Sequence, residues 1–186
     1  MVTDGNKLSS RSLFYFGKEL YENEQFAEAV PYFYQYLDSN DGWVEDKIRS
    51  CYLLSICHEH LYNSKSRLKD LIRSFEYSTP RAEICCQLGW YYLQAQDIKK
   101  AIFWYDLATR VEKPEGWGFV LHDFWGFIPW LQLCVCYDKI GDIDKAIACN
   151  EKAAELKLDD PNVTHNNEYF HAMKCRQIPP ISISSC

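Results

Sequence analysis

The sequence predicts an all-α, right-handed solenoid of about four helix pairs with a C-terminal capping helix. Three observations predict it. Small and apolar residues recur at helical spacing in stretches that resemble one another. Glycine and proline are few, 8 and 7 in 186 residues, which argues against a strand-and-turn protein. No run alternates at period two over the length of a strand.

The first pair is written in Leu13, Phe16, Gly17 and Leu20, followed by Ala29, Phe33 and Tyr36. A weaker second pair runs from about Asp46 to Phe75, with Ser55 as its small residue and Leu61, Leu68, Leu71 and Phe75 as its apolar stripe. Its turn, Asn63-Ser64-Lys65-Ser66, has side chains suited to capping the next helix. The third pair has Leu88, Gly89 and Tyr92, then Ala101, Tyr105 and Ala108. The fourth has Trp130, Leu133, Cys134 and Tyr137, then Gly141, Ala146 and Ala153. In three of the four, an alanine stands twelve residues after the small residue. A small side chain at both places lets two helices approach closely, and the second pair lacks the second one.

The small positions 17, 55, 89 and 134 are separated by 38, 34 and 45 residues. The last interval is too long and contains an aromatic-rich insertion, Glu112–Phe127, expected either to fold back over the core or to carry function. Asp159-Asp160-Pro161 ends the fourth pair, and Val163–Lys174 is expected to form the capping helix. The repeat domain is therefore placed at residues 1–176, and a mobile tail at 177–186.

The net charge of -6 disfavours a nucleic-acid binder, which would ordinarily show a basic patch. No apolar run approaches the roughly 18–20 residues that span a bilayer, and the first residues have no apolar signal region. Nine cysteines, an odd count within mostly apolar helical stretches, point to a reducing, cytoplasmic setting. Aromatic residues make up 16% of the chain, enough to fill a core and also to line a groove.

No catalytic constellation emerges, and no metal or cofactor is expected in this chain. Asp142-Ile143-Asp144 sits at a turn before a helix, where an acid complements the helix dipole. In Cys57-His58-Glu59-His60 the two histidines are two apart on a helix and point about 200° from one another; Cys134 and Cys136 have the same problem. No motif joins Cys85-Cys86 to a base. Glu45–Arg49 reads as a solvated face with weak ion pairs, and Pro80-Arg81-Ala82-Glu83 as a helix start. Arg49 and Arg81 are alternatively directed into a groove.

The repeat spacing resembles the tetratricopeptide pattern, whose length is about 34 residues. Longer strings resemble the helical C-terminal region of bacterial family-2 glycosyltransferases over about residues 4–170. They are Asp4-Gly5, Leu8–Arg11, Phe14–Leu20, Trp43–Arg49, Arg73–Tyr77, Thr79–Cys86, Ala101–Tyr105 and Leu131–Asp138. The resemblance implies a non-catalytic accessory domain that holds an acceptor or mediates protein interaction. The chain has no α/β domain with an Asp-x-Asp metal motif, so glycosyl transfer itself is not expected of it. The alternative is a stand-alone adaptor that binds a peptide of a partner. With the small residue taken as position eight, the first helices turn Arg11, Phe14, Lys18, Tyr21, Arg49, Tyr52, Glu83, Cys86, Trp90 and Gln94 toward the concave face. Trp90, Arg49 and Tyr52 are expected to act together there, unless Trp117 or Trp125 of the insertion covers Trp90. The expected partner is a protein or peptide, a glycosylation acceptor if the resemblance extends to function, or a second copy of the chain.

Overall fold

The computed structural model describes residues 8–113 and 120–177. Among these residues the regular structure is helical throughout, with no strand. Four antiparallel pairs follow one another: α1 (Ser10–Glu22) with α2 (Phe26–Leu37), α3 (Val44–His60) with α4 (Ser64–Arg73), α5 (Ala82–Gln94) with α6 (Ile98–Arg110), and α7 (Phe127–Lys139) with α8 (Ile143–Leu156). A ninth helix, α9 (Pro161–Gln177), packs on α8 and extends beyond the expected Val163–Lys174 at both ends. The expected tail lies, from residue 178 on, outside the described residues.

The four pairs share one turn. Seven residues after each small position the backbone is left-handed, at Glu24, Tyr62, Gln96 and Gly141, with φ of 59°, 53°, 59° and 79°. The next residue, Gln25, Asn63, Asp97 or Asp142, donates its amide to the carbonyl five residues back at 2.8–3.0 Å. That residue closes the first helix by the 6→1 hydrogen bond of a Schellman motif and is also the N-cap of the second. Asn63, Asp97 and Asp142 each accept the amide three residues on. Gln25 makes no such bond. Asp142 is thus the third side-chain cap of the series, at the fourth copy of the turn.

Close approach of the paired helices follows from the small residues. A Cβ built on Gly89 would lie 2.8 Å from the Tyr105 ring, and one on Gly17 would lie 3.2 Å from Phe33. Ala29, Ala101 and Ala146 have no exposed surface. The second pair keeps this register with one change of chemistry. Ser55 is buried and donates its hydroxyl to the Tyr52 carbonyl at 2.6 Å, but the alanine position is taken by Arg67, also buried.

Apolar packing forms two main clusters, one around the first two pairs and one around the last two. Helix α5 contributes to both, Ile84 and Leu88 to the first and Cys85 and Leu93 to the second. The junction of α4 with α5 is the sparsest of the three between successive pairs. At the C-terminal end, Val163 and Phe170 bury against the last pair. Asn150, where Phe33 and Tyr105 stand in earlier repeats, donates to the Val163 carbonyl and to Asn167 Oδ1 and accepts from Asn166.

Two stability measurements test this architecture. Replacing Gln25 by Asp supplies the cap that the three equivalent turns possess, and is expected to raise stability by about 0.5–1 kcal/mol. The readout is a higher urea midpoint at an unchanged slope. Gly89→Leu forces a branched side chain into the Tyr105 ring and is expected to cost roughly 1–3 kcal/mol or more. An unchanged midpoint would show that the close contact lies elsewhere.

Candidate functional site

The first helices of successive pairs stand side by side and form one face. Position two or five of each repeat points onto that face, so residues distant in sequence converge. A cavity of about 460 Å³ lies between α1, α3 and the start of α5. Phe14, Lys18, Arg49, Tyr52 and Glu83, all expected on this face, line it, and so do Tyr15, Trp43, Glu45, Asp46 and Arg81.

The expectation of an open aromatic groove needs correcting. Phe14 and Tyr52 are buried, at 5% and 7% exposure, because each also packs into the first core cluster. The exposed aromatic surface is supplied by Trp43 and Tyr15. Tyr15 follows Phe14 on α1, and Trp43 precedes α3, outside the repeat count, where a pattern search does not reach. The Glu45–Arg49 segment is likewise more than a solvated face. Ile48 is in the core, Lys47 donates to the Ser39 carbonyl, and Glu45 takes a two-pronged ion pair from Arg81 at 2.5 and 2.7 Å. This pair ties α3 to α5 with little exposure of either partner.

The remaining charges are less evenly matched. Lys18 pairs with Glu22 at 3.3 Å. The Arg49 guanidinium lies 4.9 Å above the Tyr52 ring, and burial lowers its pKa. Glu83 is buried, and one of its carboxylate oxygens has no hydrogen-bond partner. Burial raises its pKa above the ordinary carboxylate value, against the opposing pull of Arg81 and Arg49. Burial also raises that of Asp46, with Glu45 adding to it.

Trp90 and Gln94 belong to a different arrangement. Trp90 donates its indole N–H to Glu59 at 2.7 Å and is 38% exposed. Gln94 donates to the same oxygen and accepts from Arg67, which is 3.1 Å from the other Glu59 oxygen and also donates to Gln87. The arginine at the alanine position therefore organises a polar cluster beneath Trp90, and its place in the repeat is the sequence signal that could have revealed it. The expected grouping of Trp90 with Arg49 and Tyr52 does not form. A 3-10 turn of the insertion, His122–Trp125, comes between them: Phe124 meets the Tyr52 ring edge-on at 6.2 Å and shares a shallow depression with Cys86, Gln87 and Trp90. Trp117 lies outside the described residues. Arg11 lines an adjoining depression that shares Tyr15, Trp43 and Asp46 with the cavity, and its guanidinium lies over Tyr15. Tyr21 packs edge-on against Phe26.

The remaining motifs have structural partners. Cys57 is in the core, His58 contacts Tyr34 and Asp70, and His60 stacks on Phe26 at 4.2 Å. Burial pushes the Cys85 thiol up to about 12 and that of Cys86 higher than its ordinary value, so neither is primed as a thiolate.

Glu83 makes a pH prediction. An acid whose pKa is raised by folding holds its proton where the unfolded chain has lost it, so its contribution falls as pH rises through the folded pKa. A glutamine at this position would not ionise. Glu83→Gln is therefore expected to melt above the wild type at neutral pH, with the two curves converging below about pH 4. Equal melting at every pH would contradict the burial assignment.

Comparison with known proteins agrees with this architecture. The sequence model of one family, described as Tetratricopeptide repeat, matches residues 82–114 and 129–160, the third and fourth pairs. The 43 kDa receptor-associated protein of the synapse from Tetronarce californica is 24% identical over 144 residues, 72% of this chain. The match spans about a third of that relative's length, 34%. Among solved structures, MamA (AMB-1) superimposes with a TM-score of 0.64 at 18% identity, over 90% of this chain and 83% of its own. YrrB, described as a TPR protein with an unusual peptide-binding site, does so with a TM-score of 0.66 at 14% identity, over 92% and 81%. The described chain thus has the fold of a tetratricopeptide-like helical solenoid, and its third and fourth pairs match that family's sequence model.

Proposed function

We propose that this protein binds an extended peptide segment of a partner protein along the face formed by α1, α3, α5 and α7. The observation that carries the reading is the cavity between the first three pairs, which joins exposed aromatic rings to a buried carboxylate. A repeat scaffold presents such residues on a continuous surface, and binding energy concentrates in a few aromatic and arginine anchors. The likeness to YrrB supports a peptide as the class of partner. A non-catalytic role beside a glycosyltransferase rests on the sequence strings at 4–170, without support from the relatives described above. The adaptor reading therefore takes precedence.

Peptides selected from a displayed random library on the purified protein test this reading. Trp90→Ala is expected to weaken a selected peptide by roughly 2 kcal/mol or more, while destabilising the fold less than Gly89→Leu does. An affinity per folded molecule that is unchanged in Trp90→Ala would remove Trp90 from the binding face. If no peptide is enriched, the peptide reading fails.

A further inference from the structure

We propose that the cavity between α1, α3 and the start of α5 receives a basic side chain, arginine or lysine, of the partner segment. The inference rests on the peptide-binding reading above and names the chemistry of one anchor.

Three features of the cavity select a cation. The first is Glu83. It is only 7% exposed, lines the cavity, and leaves one carboxylate oxygen without a donor. An unsatisfied buried acceptor is unfavourable, and a charged donor arriving from a ligand relieves it. The second is the balance of charge. With Lys18 matched to Glu22 and Arg81 to Glu45, Asp46 and Glu83 stand against Arg49 and, from the adjoining depression, Arg11, so the site offers an incoming anion no excess of positive charge. An anion drawn to Arg49 would meet both carboxylates. The third is the rim. Trp43 is 53% exposed and lines the entrance with ring surface, which attracts a guanidinium or ammonium group, as the neighbouring Tyr15 ring already does with Arg11. A metal ion lacks the ligands: among the described residues no three His, Cys, Asp or Glu side chains gather as a metal site. The cavity, about 460 Å³, has room for the aliphatic stem of either basic side chain as well as its head.

The test titrates the isotope-labelled full chain with N-acetyl-arginine amide, its neutral isostere N-acetyl-citrulline amide, and N-acetyl-glutamate amide, following the Trp43 indole N–H. Arginine is expected to shift this signal saturably, with citrulline weaker by about tenfold and glutamate without effect. Glu83→Gln is expected to weaken arginine by about tenfold. Asp46→Asn serves as a second variant on a half-buried side chain, and is expected to weaken arginine in the same direction. Citrulline binding as well as arginine, preferential binding of glutamate, or arginine binding unchanged in both variants overturns the proposal. If arginine leaves the indole unshifted while a selected peptide still binds through Trp90, the basic anchor falls and the peptide reading stands. If arginine binds at the cavity and no peptide is ever enriched, the anchor stands and the peptide reading falls.

Discussion

The rest of the structure depends on a single residue serving two helices at each turn. Gln25, Asn63, Asp97 and Asp142 each end one helix through the backbone amide and begin the next as its N-cap. With no slack between the helices, the crossing geometry of each pair is set locally. Glu24, Tyr62 and Gln96 accept a left-handed backbone, which ordinarily favours glycine, to keep the connection this short. Because the turn recurs, the close contacts recur at the same distance from it, and the first helices are delivered to the same face.

Function and packing compete on that face. Phe14 and Tyr52 serve the core, so the surface available for recognition comes from Tyr15 and Trp43 beside them. The bidentate Arg81–Glu45 pair holds the cavity's far wall to α3 across the repeat boundary. Glu83, next but one to Arg81, is held at the first turn of α5, where the helix dipole favours a negative charge even as burial opposes it. The insertion adds Phe124 to the same face and divides it into a deep cavity and a shallower depression.

Much of the fold was legible because it obeys local rules. The spacing of Gly17 to Ala29 and Gly89 to Ala101 encodes helix approach directly, and the caps at Asn63 and Asp142 are chemical signals of a helix start. The second pair was harder, since Arg67 stands where alanine is expected and only its partners Glu59, Gln87 and Gln94 explain it. The candidate site was legible in outline. Repeat position brought Lys18, Arg49 and Glu83 to one face, because that depends only on helical phase. It left the local partners of Arg11 and Tyr21 unread, since these include Tyr15 on the same helix and Phe26 on the next. It separated neither Trp90 from Tyr52 nor Glu45 from solvent, because both outcomes are decided by residues from other elements.

The polar cluster around Arg67 has a mechanical consequence. The two apolar cores meet across α4 and α5, where the packing between successive pairs is sparsest and where a guanidinium, two amides and a carboxylate stand beside the buried Leu71, Ile84 and Leu88. Interdigitated apolar side chains resist sliding, because any shift opens voids. A fork of donors facing several acceptors instead exchanges partners at little cost. The junction between the second and third pairs is therefore expected to yield to bending before the other two do. A partner lying along the whole face would cross that junction.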